Sequence, residues 1–145
     1  MIDRFKRLIL LMVLLASPVE AADPPPPLGE LPVVDSKLVV PEEHRAASAL
    51  AARGSPALDI ALKIVGAFEG STQQIIQVNE GSETPSASYV TVLRDGLMDD
   101  SVRSERWDIV LKRTASGVWG IKEVRRSWRC WRGEQPNRFA SVLCP

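Results

Sequence analysis

Between Arg125 and Arg132 the chain reads Arg-Arg-Ser-Trp-Arg-Cys-Trp-Arg, four arginines interleaved with two tryptophans. Guanidinium groups pair with carboxylates or phosphates in a planar fork, and both residue types stack on flat ligands. Arg125, Arg126, Trp128, Arg129, Trp131 and Arg132 are therefore the candidate binding residues. In a β-strand alternate side chains share a face, which puts Arg126, Trp128 and Cys130 on one side and Arg125, Arg129 and Trp131 on the other. That alternation also fits a structural reading, in which one tryptophan enters the core and the arginines solvate the outer face or guard an edge.

The remaining reactive residues are few. Cys130 and Cys144 are the only cysteines. In an oxidising compartment they are expected to pair, closing a loop of about 15 residues worth roughly 3 kcal/mol and pinning the tail to the strand before it. Two thiols with one distant histidine fall short of the four ligands of a structural zinc site. That histidine, His44, is expected on the solvated side of a helix beside Glu42 and Glu43. Asp95, Asp99 and Asp100 gather in one loop, where turn chemistry competes with a catalytic role for them. The sequence contains no G-x-S-x-G elbow, phosphate loop or dinucleotide fingerprint, so no catalytic residue, metal or cofactor is expected.

The elements that position these residues follow from periodicity. Pro41 with Glu42 and Glu43 suits a helix start. The first helix is expected over about 42–53, ending at Gly54. Ser55-Pro56 opens the second, over about 56–69, with Leu58, Leu62, Val65 and Phe68 in one stripe and Gly70 as its stop. Beyond Thr72 the period becomes extended. Strands are expected at Gln74–Val78, Ser88–Leu93, Arg106–Arg113 and Val118 to about Cys130, joined by short turns at Asn79–Ser82, Arg94–Gly96 and Thr114–Gly117. The expected fold class is α+β, two N-terminal helices packed on a four-stranded antiparallel meander. Its topology is similar to cystatin-like folds and, loosely, to cone-shaped folds of the nuclear transport factor 2 type, a likeness from which no function follows. Leu31 to Val40 suits an edge strand or a packed arm.

Residues 1–21 carry a different signal. Arg4, Lys6 and Arg7 precede the apolar run Leu8 to Ala16, and Val19-Glu20-Ala21 offers small residues for a signal peptidase. This is the pattern of a cleaved secretory signal, with cleavage after Ala21. Nine apolar residues rise only about 14 Å as a helix, too short to span a bilayer. The prolines at 24–27 then form a polyproline-type spacer. The expected organisation is a signal peptide at 1–21, a Pro-rich spacer and arm at 22–40 and a single α+β domain at 41–145. With 45% hydrophobic and 25% charged residues, the composition is that of a globular protein. Charge is uneven: residues 22–102 hold five basic and twelve acidic side chains, residues 103–138 ten basic and four acidic.

A resemblance arises in the C-terminal half. Asp100-Ser101-Val102-Arg103, Trp107 to Leu111, Gly117-Val118-Trp119, Arg129-Cys130, Arg132-Gly133 and Phe139 to Cys144 together are similar to a C-terminal pattern in small exported bacterial proteins. It covers roughly residues 98–144. The resemblance implies a secreted domain with a paired-Cys tail and carries no activity with it. Glu134-Gln135 stands where that pattern has Gly-His, so a site that used this histidine is missing here.

The expectation is thus an exported, periplasmic or secreted domain that binds rather than catalyses. Its partner would be an anionic envelope polymer or an acidic envelope protein, with no nucleic acid. A small hydrolase using the loop aspartates and an inhibitor acting through the disulfide-closed loop are the alternatives.

Overall fold

A computed structural model describes residues 27–133 and 136–145. The expected signal segment and the prolines before Pro27 lie outside the described residues, as do Glu134 and Gln135. The chain is α+β: two short helices, α1 (Arg45–Ala52) and α2 (Ala57–Val65), cover one face of an antiparallel sheet. Its strands are β1 (Lys37–Leu38), β2 (Thr72–Glu80), β3 (Ala87–Asp95), β4 (Val102–Arg113) and β5 (Trp119–Cys130), in the order β1-β5-β4-β3-β2. The expected sheet had four strands; there are five. The fifth comes from the arm, where Lys37 pairs with Arg126 and Leu38 with Arg125. Leu31 to Val40 suits an edge strand or a packed arm, and Lys37–Leu38 is the part that joins the sheet edge, two residues being too few to show a strand period of their own.

The four long strands form the expected meander, with β2–β3, β3–β4 and β4–β5 each antiparallel. Alternation sends Val90, Val92, Trp107, Ile109, Leu111 and Val124 beneath the helices, where they meet Ala47, Ala51, Ile60 and Ala61. Small residues on α1 let it lie close to β5. A register shift between Val110 and Leu111 leaves Lys122 as an extra residue in β5, and a second lies between Val102 and Ser104. Each resets the alternation locally.

The second helix is shorter than its apolar stripe suggests. It ends at Val65, not 69, because Gly66 adopts φ +75° and breaks the helical path. The carbonyls released there are taken by the buried Arg94 guanidinium, which donates to Val65 O at 3.1 Å, Gly66 O at 2.6 Å and Ala67 O at 3.1 Å. A side chain 28 residues downstream thus caps the helix, and local sequence does not announce it. The first helix begins with a 3-10 turn, Pro41–His44. Within that turn His44 alone is buried, Pro41, Glu42 and Glu43 all being exposed. His44 is only 8% exposed, against the solvated position expected for it. Its Nδ1 finds no partner among the described residues.

The opposite face of the sheet has its own small core. Leu31, Leu93 and Phe139 are buried together with Leu28 against them. The arm and the tail cross this face side by side: Phe139 N donates to Pro32 O and Val34 N to Phe139 O, both at 2.9 Å. Asp35 fastens the pair, accepting from Ser141 N and Ser141 Oγ at 2.6 Å each. Among the described residues no helix is long and apolar enough to cross a membrane.

Candidate functional site

The Arg/Trp segment forms the second half of β5 and runs on into the tail. Most of its charge is spent inside the fold. On the helix face Glu105 lies between two arginines: Oε1 accepts from Arg94 Nη1 at 3.2 Å, and Oε2 accepts from Arg126 Nη2 at 2.6 Å. The Arg126 guanidinium stacks on Trp107, 4.5 Å from the ring centroid, and on Trp128 at 5.1 Å. Removing Glu105 would strand a buried guanidinium, so this group reads as architecture.

On the other face Arg129 is buried and donates to Asp95 Oδ1 at 2.8 Å and to Ser104 Oγ at 3.0 Å. Ser104 Oγ in turn donates to the same Asp95 oxygen. Burial alone would raise the Asp95 pKa, but the hydrogen bonds from Ser104 and Arg129 outweigh it and hold the carboxyl below its usual 3.8. Arg125 is half exposed and pairs with Glu123 at 2.7 Å.

What remains available lies past the end of β5. The Cys130–Cys144 disulfide is present and ties the tail back to the strand. The tail also pairs with β5 through Ala140 and Trp128, whose amides and carbonyls exchange hydrogen bonds at 2.8 and 2.9 Å. Trp131 projects from this corner, its Nε1 donating to Asp99 O at 3.1 Å and its backbone N to Ser101 O at 2.9 Å. Arg103 stacks on the Trp131 ring at 5.0 Å. Ser101 Oγ donates to Pro145 O at 2.8 Å, so loop, strand end and tail form one surface. Val142 and Leu143 stand on it 71% and 76% exposed.

Beside this surface lies an open cleft of about 280 Å³, lined among others by Trp128, Cys130, Arg132, Arg138, Val142 and Leu143. Neither arginine makes an ion pair with a described residue. The structure therefore divides the six sequence candidates. Arg125, Arg126 and Arg129 have internal carboxylates and Trp128 is buried, whereas Trp131 and Arg132 meet solvent. Arg138 escaped the sequence reading because it stands apart from the arginine run, although it sits inside the loop that the two cysteines close.

The loop aspartates do not converge. Asp95 is engaged by Arg129, and Asp99 Oδ1 accepts from the amides of Val102 at 2.6 Å and Ser101 at 2.8 Å. Those two bonds hold Asp99 below the usual carboxylate range and shape the turn. Among the described residues no group of three His, Cys, Asp or Glu side chains is placed to hold a metal ion.

A second concavity, about 390 Å³, separates α1 from the β4–β5 turn and is lined by His44, Ser48, Ala51, Val118, Trp119 and Ile121. It has no charged wall. Comparison with family models, with curated proteins and with solved structures finds no match to this chain.

Proposed function

We propose that the chain is an exported binding module that takes an acidic protein partner of the cell envelope at its disulfide-closed corner. One observation carries this reading. Trp131, Val142 and Leu143 are exposed on a surface fixed by the disulfide, next to Arg132 and Arg138. Neither arginine forms a close ion pair with a described carboxylate, the charge of Arg138 reaching Asp35 only at longer range. Exposed aromatic and aliphatic anchors with arginines are the composition of an interaction centre. A rigid surface also loses little conformational freedom on binding. The basic excess of residues 103–138 favours an acidic partner and speeds encounter with it.

The apolar leader, the paired cysteines and the likeness to exported bacterial proteins support export. The element order, helices before a meander, supports a cystatin-like or cone-like relationship, with the arm strand beside β5 as an addition.

The experiment places a photo-cross-linker at Leu143 and, as control, at Lys122, in cells that make the protein. An adduct to an acidic envelope protein from Leu143 alone is expected, and Arg132→Glu with Arg138→Glu should abolish it. Equal adducts from both positions, or none changed by the charge reversal, contradict the reading. If an anionic polymer is retained instead of a protein, the partner class is wrong. Intact mass of the envelope fraction tests export separately: a chain beginning at Ala22 with both cysteines blocked until reduction is expected.

A further inference from the structure

We infer that β2 is a self-association edge, and that two copies of this chain join β2 to β2 in antiparallel fashion to form one continuous sheet. The observation is the state of the edge itself. Strand β2 is nine residues long and pairs with β3 from Thr72–Asp95 to Glu80–Ala87 without a bulge. Eight of its nine residues are exposed. Its sequence, Thr-Gln-Gln-Ile-Ile-Gln-Val-Asn-Glu, contains no lysine, arginine or proline. Proteins blunt sheet edges with charge, proline, bulges, short strands or a covering segment. Strand β2 has one charge, Glu80 at its end, and no proline or bulge. The Leu28–Glu30 turn comes close to Ile76 and Gln74 on one face, while no described strand pairs with its outer backbone. Its outward amides and carbonyls point at nothing that the described chain supplies.

Helix α2 rests on β3 and β4, leaving β2 beyond the cover of the helices. Ile75, Ile76 and Val78 are exposed, Val78 at 57%, and Tyr89 lies opposite Val78. Such a regular strand, with one charge at its end and apolar side chains on both faces, is a template for strand addition.

Charge selects the occupant and its direction. The only charged residue of β2 is Glu80, at its end. Parallel self-pairing would set the two Glu80 side chains side by side, which is unfavourable. Antiparallel pairing about Ile76 keeps all nine positions in register: Ile76 faces its own copy, Gln74 faces Val78, Ile75 faces Gln77, Gln73 faces Asn79 and Thr72 faces Glu80. The two Glu80 residues then lie about 27 Å apart. A polyproline segment cannot serve as the added strand, because it lacks the donors. The ribbon is about 30 Å long and one sheet thick, roughly half the ~800 Å² per partner of a standard interface. The dimer is therefore reversible and forms with rising concentration.

Sedimentation velocity over a concentration series from low micromolar to submillimolar tests this. The wild-type mass should rise from one chain to two, Ile76→Lys should hold it at one chain throughout, and Leu38→Lys on the opposite edge should leave the rise unchanged. Ile76 is exposed, and an unaltered melting temperature for Ile76→Lys separates lost pairing from lost folding. Oxidation of Ile76→Cys should give a covalent dimer, since opposed Cα atoms in a ladder are within disulfide reach. Glu80→Cys should not. A one-chain mass at the highest concentration, a dimer that survives Ile76→Lys, or cross-linking through Glu80→Cys overturns the inference. A failure of the corner to bind an envelope partner would leave it standing.

Discussion

The two edges of this sheet are treated in opposite ways. At β5 the edge is sealed three times over, by the arm strand β1, by the backbone exchange between Trp128 and Ala140, and by the Cys130–Cys144 bridge. The last strand on that side is two residues long and begins with Lys37, a poor template for further pairing. At β2 nine regular residues have no partner strand among the described residues on their outer side. Both strands belong to one meander, so the difference is not a consequence of topology. It arises because arm and tail, which come from the two ends of the described chain, meet at the same edge. The sealed side bears a shaped surface with arginines and a tryptophan; the open side bears only backbone and apolar side chains. One edge presents side chains to solvent, the other presents main chain.

The contrast can be broken from the sealed side with the largest effect. Phe139 is fully buried where arm, tail and β3 meet, so Phe139→Ala should cost about 3–5 kcal/mol in urea unfolding. Val78→Ala on the open edge should stay within about 0.5 kcal/mol. Equal losses would mean that the small second core does not hold the seal. Reducing the disulfide should cost roughly 3 kcal/mol on chain-entropy grounds, and should speed amide exchange at Trp128 and Ala140 while leaving β2 unchanged.

The Asp95 group sharpens the same point through pH. Its carboxyl is held below 3.8 in the folded state, so its contribution is complete above that value and is lost as pH falls through the lower, folded value. Urea midpoints measured downward from pH 5 should fall more steeply for the wild type than for Asp95→Asn. Parallel curves would show that Arg129 is not paired there in solution. Smallest of all, Ile76→Thr should barely move the midpoint, because β2 contributes little to either core.

Much of this was legible before folding. The four long strands lie between turn signals, Ser88–Leu93 by its β-branched and aromatic content and Arg106–Arg113 by clean alternation, so each is placed within a few residues. The cysteine pair was readable from number and context. What escaped was set by contacts distant in sequence. Phe68 continues the stripe of α2, yet the helix stops at Val65 because Gly66 turns and Arg94 receives the free carbonyls. His44 stands beside Glu42 and Glu43, which favours a solvated helix side, yet the chain makes a 3-10 turn there and buries it. The division within the arginine run was also hidden: strand alternation showed which side each faces, but not that Glu105 and Asp95 wait opposite Arg126 and Arg129. The exposure of β2 was hidden for the same reason, since a strand's own sequence does not say which edge of a sheet it occupies.

Hydrogen–deuterium exchange at low and at high protein concentration tests the central contrast most directly. The amides of Val39, Trp128, Phe139 and Ala140, each bonded within the chain, should exchange slowly at both concentrations. Alternate amides of Thr72–Glu80 should exchange rapidly in dilute protein and slow down when it is concentrated. Exchange in β2 that ignores concentration, or exchange at the β5 edge as fast as in dilute β2, would contradict the account.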